Sequence, residues 1–124
     1  MYKGLYGRMY TKAYICHPYT AGVKSENVDR VREICKKIVV QNQRKLNNED
    51  IELIVPVAPH LLFPEFMSEP TLGREVAMDF CKALLLGCDE IWVFDDTANG
   101  LSAGMKEEIS FAGEHFISIV FMVF

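Results

Sequence analysis

The chain has 124 residues, half of them apolar and about a quarter charged, with 17 acids against 13 bases for a net charge of -4. That length holds one domain with a real core, and the acidic balance argues against a nucleic-acid polymer as partner. No apolar run is long enough to span a bilayer, and the opening MYKGLYGRMYTK lacks the apolar centre of a signal peptide, so no membrane and a cytoplasmic address are expected.

Residues 1–11, with Tyr2, Tyr6 and Tyr10, read as a lead-in segment that is mobile or covers an edge. Lys12–Cys16 (KAYIC) reads as the first strand. His17 to Gly22 is then a loop, punctuated by Pro18 and Gly22. From Ser25 to about Leu46, Val28, Val31, Cys35, Ile38 and Val39 recur at helical spacing, and basic residues fill much of the remaining surface.

Ile51–Val57 is the second strand, with Pro56 marking its end or an edge position. Residues 58–70 hold Pro59, His60, Phe63, Pro64, Phe66, Met67 and Pro70. Such irregular apolar loops are often lids or pocket walls, and otherwise simply cover the core. Thr71–Leu86 is the second long helix, with Val76, Phe80 and Leu84 as its core row, Ala77 and Cys81 alongside, and Gly87 as its stop. Asp79 stands about 100° from Phe80 on the helix wheel, which leaves its direction open.

The stretch Ile91–Ala112 organises the rest. Ile91 to Phe94 is a short β-prone run, Asp95 and Asp96 end it, and Thr97 to Leu101 make a loop through Asn99-Gly100. Ser102 then caps a helix. Gly104, Glu108 and Ala112 fall on one face at spacing four, beside Met105 and Ile109, while Glu107, Ser110 and Glu114 form a polar face. Glu108 is thus a carboxylate on the apolar side. Burying an unpaired charge is costly, so the residue has a partner or a task, or else it is solvated at the sheet edge. Gly113 stops the helix, and His115–Phe124 (HFISIVFMVF) is the last strand.

Cys16, Cys35, Cys81 and Cys88 form no C-x-x-C pair, and the three histidines show no metal-ligand spacing. Reduced thiols, no metal and no cofactor are expected. Strands alternating with helices predict a single α/β domain over residues 1–124. The expected form is a Rossmann-like or flavodoxin-like three-layer sandwich around a parallel sheet of about four strands in the order 2-1-3-4. That order places the loop at His17 beside the stretch from Asp95 to Gly104. The uncharged last strand and the exposed-looking tyrosines predict a homodimer or larger homo-oligomer.

Tyr14-Ile15-Cys16 on the first strand, the Asp-x-Ile start at Asp89, and above all Ser102-x-Gly104-x-x-x-Glu108-x-x-x-Ala112 resemble the nucleoside 2-deoxyribosyltransferase superfamily, which includes the 2'-deoxynucleoside 5'-monophosphate N-glycosidases. The resemblance covers roughly residues 12–120. It implies hydrolysis or transfer of the N-glycosidic bond of a deoxynucleoside or its 5'-monophosphate, with Glu108 as nucleophile. Asp79 stands nearest to the acid that helps the leaving base in several members. The candidate substrate-binding residues are then Tyr14, His17, Tyr19, Asp95, Ser102, Gly104 and Met105, around a small nucleoside or nucleotide.

Two departures point opposite ways. Where the nucleotide hydrolases carry a Gly-Ser stretch with a phosphate-binding arginine, this chain has His17-Pro18-Tyr19-Thr20, and His17 could replace part of that charge. Where transferases carry an aspartate six residues before the nucleophile, this chain has Ser102. Hydrolase against transferase, and the need for a 5'-phosphate, therefore stay open. The competing readings are a non-catalytic nucleotide-binding module and a structural subunit with a vestigial pocket.

Overall fold

A computed structural model describes residues 1–67, 73–95 and 100–123. The expected helix start at Thr71, and Asp96 with Thr97 to Asn99, lie outside the described residues. Five strands and four α-helices are described: β1 (Tyr2–Lys3), β2 (Met9–Cys16), α1 (Lys24–Asn47), β3 (Glu52–Val57), α2 (Pro59–Leu62), α3 (Arg74–Leu86), β4 (Glu90–Val93), α4 (Ala103–Glu114) and β5 (Ser118–Phe121). Short 3-10 turns cover Leu5–Gly7 and Phe63–Glu65. No described helix is long and apolar enough to cross a membrane.

The sheet is mixed. β2 pairs in parallel with β3 on one side and with β4 on the other, and β4 pairs in parallel with β5. β1 runs antiparallel to the start of β2, Tyr2 opposite Tyr10. This corrects the expected wholly parallel sheet of four strands in the order 2-1-3-4. The lead-in contributes a strand of its own, and β2 starts at Met9 rather than Lys12. Pro56 is accommodated because β3 pairs only with β2 among the described strands.

The alternation of side chains along β2 and β4 builds two cores. Ala13, Ile15, Trp92 and Phe94 pack with Val31, Ile34 and Ile38 of α1 on one face. Tyr14, Cys16, Ile91 and Val93 pack with Leu85, Met105 and Ala112 of α3 and α4 on the other. At the start of β4, Asp89 Oδ2 accepts the Lys12 amide at 2.9 Å while the Asp89 amide donates to the Lys12 carbonyl at 3.0 Å.

The elements differ from the sequence pattern in three places. In α1, Ile34 is buried and Val39 exposed. In α3, Val76 and Phe80 are each 39% exposed, and Leu85 is the fully buried residue. Leu84 packs at the edge of that cluster with Cys81. An apolar run such as Ala83 to Leu86 offers several faces at helical spacing, and only the neighbouring layer selects one. The last strand is shorter than expected, because His115 and Phe116 belong to the turn that ends α4.

Candidate functional site

β2, β3 and β4 are parallel, so their carboxyl ends share one edge of the sheet, the usual place for a ligand in open α/β folds. A cavity of about 540 Å³ opens there. The loop after β2 contributes His17, Tyr19, Thr20 and Ala21; α1 contributes Lys24; the segment after β3 contributes Pro59, His60, Phe63, Pro64 and Met67. Arg74, Ala77, Met78 and Cys81 come from α3, and Ser102, Gly104, Met105 and Glu108 from the start of α4. The apolar segment after β3 is thus a pocket wall.

Glu108 is the buried carboxylate of this cavity, only 7% exposed. Ser102 caps α4, its Oγ accepting the Met105 amide at 3.2 Å, which fixes the phase that turns Glu108 toward the sheet. Tyr14, on the α4-facing side of β2, donates its hydroxyl to Glu108 Oε2. Cys16, two residues along the same face, lies with Sγ 3.8 Å from Glu108 Oε1. Burial pushes the Glu108 carboxyl up from 4.5 to about 7, against the Tyr14 and Cys16 hydrogen bonds, which pull it down, while Glu107 adds a smaller upward push. Burial first, and then the facing Glu108, hold the Tyr14 hydroxyl well above its ordinary range.

The opposite wall is aromatic and basic. The Pro18 carbonyl accepts from His17 Nδ1 at 2.9 Å and from His60 Nε2 at 3.2 Å. A carbonyl only accepts, so those are the nitrogens that carry the protons in the neutral rings. Burial, and then His17 beside it, lower His60 from 6.5 to about 4. Tyr19 meets His60 edge-on at 5.0 Å between centroids, and Lys24 Nζ sits 4.7 Å from the centre of the Tyr19 ring. Asn27 Nδ2 donates to the carbonyls of Tyr19 and Ala21 at 3.0 and 2.7 Å. Because the peptide unit is planar and trans, the Thr20 and Gly22 amides then point away from Asn27. Among the described residues neither Lys24 nor Arg74 forms an ion pair.

A family model described as a domain of unknown function (DUF7768) matches residues 11–122. The chain belongs to that family. The match spans every residue that lines the cavity and leaves out β1. No curated protein matches the chain.

Of the residues singled out from sequence, the fold gathers Glu108, His17, Tyr19, Ser102, Gly104 and Met105 at the cavity and sets Tyr14 beneath Glu108. Asp79 and Asp95 are exposed and are not among the described residues that line the cavity. Asp79 lies on the outward side of α3, where it adds to the negative field at Lys82. Sequence reasoning passed over Lys24, His60, Arg74, Met78 and Cys16 as site residues. Lys24 and Arg74 open their helices, and that position after a strand or a pocket-forming loop was the available signal. None of the four cysteines is in a disulfide; Cys16 and Cys88 are buried and Cys35 and Cys81 half-buried.

Proposed function

We propose that this protein cleaves the N-glycosidic bond of a deoxynucleoside or deoxynucleoside 5'-monophosphate, with Glu108 as nucleophile. The observation that carries the reading is the buried Tyr14–Glu108 pair at the base of a cavity large enough for a nucleotide. The ionised carboxylate attacks the anomeric carbon, and the carbon–nitrogen bond breaks with its electron pair leaving on the base, which takes up a proton. Water, or a second base, then displaces Glu108 from the glycosyl-enzyme, as in retaining glycosidases. The Tyr14 hydroxyl holds the carboxylate before attack. Met78 and Phe63 offer apolar surface to a planar base.

Lys24 and Arg74, which form no ion pair among the described residues, together with the N-termini of α1, α3 and α4 lining the same cavity, favour a ligand with an anionic end over a neutral nucleoside. A Rossmann-like doubly wound arrangement and a homodimer or larger assembly complete the proposal. The second is supported by Phe116, 97% exposed, and by Phe121 and Tyr6, which are also exposed.

The test is a chromatographic screen of deoxynucleosides and their 5'-monophosphates for base release. Glu108→Ala is expected to lower single-turnover release by several orders of magnitude with the fold retained. Glu107→Ala, which removes only a half-exposed partner of Lys82, is expected to keep it. Wild-type turnover by Glu108→Ala on a cleaved substrate would overturn the nucleophile assignment. The non-catalytic binding module is the second reading, favoured by the carboxyl's readiness to hold a proton near pH 7 and so to act as a donor. It takes over if a nucleotide raises the melting temperature but is never cleaved.

A further inference from the structure

The terminal torsion of a glutamate is broad, so a buried Glu side chain does not by itself fix the plane of its carboxylate. In the proposed reaction that plane decides whether a lone pair faces the anomeric carbon. Tyr14 holds Oε2. On the other oxygen, Cys16 Sγ lies 3.8 Å from Oε1 and 4.0 Å from the Met105 carbonyl. Both partners of the thiol are acceptors. Cys16 is fully buried at the carboxyl end of β2. Burial and the adjacent Glu108 hold its thiol in the protonated form, so it can donate.

We propose that Cys16 is a positioning residue for Glu108: its S–H, shared between Oε1 and the Met105 carbonyl, sets the rotation of the carboxylate while Tyr14 anchors the other oxygen. The consequence for catalysis rests on the glycosidase reading; the geometry does not. Two successive inward residues of β2 then grip two oxygens presented by α4. A thiol suits the task because it is a weak donor. It orients Oε1 without binding its lone pairs as tightly as a hydroxyl would. The other titratable or charged groups around Glu108 are Cys81 from α3, Glu107 on its own helix, and His17, His60, Lys24 and Arg74 around the cavity.

The experiment follows the Glu108 carboxyl carbon by NMR across pH in the wild type, Cys16→Ala and Cys16→Ser. A hydrogen bond to the ionised form favours that form. Cys16→Ala is therefore expected to move the Glu108 midpoint upward by about half a pH unit or more, and Cys16→Ser to return it to or below the wild-type value. Single-turnover base release should fall about tenfold in Cys16→Ala with KM little changed, and recover in Cys16→Ser. A Glu108 midpoint that is the same in Cys16→Ala and the wild type overturns the proposal. If the wild type releases no base, the catalytic reading fails, while the titration still decides what Cys16 does to Glu108.

Should Cys16→Ala not fold, the S–H infrared band is followed in the Cys81→Ala background. It is expected to move to lower frequency as Glu108 ionises and to stay still when Glu108→Gln is added. A band indifferent to pH overturns the proposal.

Discussion

The hydroxyl of Tyr14 donates to the carboxylate of Glu108 across 94 residues of sequence, joining β2 to α4 inside the molecule. Neither group is affordable there without the other, since each would be a buried polar atom with a lost hydrogen bond. Tyr14→Phe removes the donor and keeps the ring. It is expected to cost about 1–3 kcal/mol near neutral pH. It should also push the Glu108 midpoint further above its present value of about 7, because the Tyr14 hydrogen bond is the larger of the two that pull it down. Thermal melts and the carboxyl NMR titration check both. A midpoint that falls in Tyr14→Phe contradicts the assignment.

Glu108 and His60 give the fold opposite responses to pH. The folded protein keeps a proton on Glu108 up to about pH 7, the unfolded chain only to 4.5. Between those values the folded state binds more protons, so stability falls as pH rises, by roughly 3 kcal/mol over the whole window. His60 loses its proton at about 4 in the folded state and at 6.5 in the unfolded chain. There the unfolded state binds more, so stability rises with pH over a similar range. The two slopes oppose each other where the windows overlap. Glu108→Gln is expected to expose the rising His60 slope and to leave the protein more stable than wild type at pH 8. His60→Phe should expose the falling one. Denaturant melts from pH 4 to pH 8 measure this; parallel curves for all three proteins would count against both burial effects.

Gly104 is a place where stability and binding should part. A Cβ added there would meet Met78 Cε at 3.5 Å, an ordinary contact. Alanine is also the better helix former, by up to about 1 kcal/mol. Yet Gly104 lines the cavity. Gly104→Ala is expected to melt higher and to bind nucleotide more weakly, as seen by differential scanning calorimetry and titration calorimetry. Equal or tighter binding would remove Gly104 from the ligand wall.

Phe116 carries two costs at once. It adopts φ 58° as the left-handed residue after α4, where the Ile117 amide donates to the Ala112 carbonyl at 2.9 Å, and its ring is almost wholly exposed. Glycine is the residue usually found in that turn. In a monomer, Phe116→Gly is therefore expected to stabilise by about 1 kcal/mol. In an assembly that covers the ring, it should instead destabilise and shift the mass toward monomer. Light scattering with parallel melts distinguishes the two, and the proposed oligomer requires the second result.

The residues from Ser102 to Ala112 were legible from sequence, because a capped helix has a fixed phase and that phase alone put Glu108 on the face of Met105 and Ala112. The α/β alternation and the two-sided strands followed in the same way from periods of two and of 3.6 residues. What partners Glu108 was not legible, since Tyr14 and Cys16 meet it only when β2 and β4 lie side by side and α4 folds back over them. On α3 the sequence pattern gave Val76, Phe80 and Leu84 as the core row, whereas the packing buries Leu85 and leaves Val76 and Phe80 half out. Asp79 entered as a candidate acid through the family resemblance, and it faces solvent because the layer beneath selects the side of Leu85 and Cys81. The lead-in tyrosines gave no sign of β1, because a two-residue strand has no period to read; its pairing exists only once Met9 and Tyr10 are in place to receive it. Local spacing decides which face a side chain takes, and only the packing of distant segments decides what that face meets.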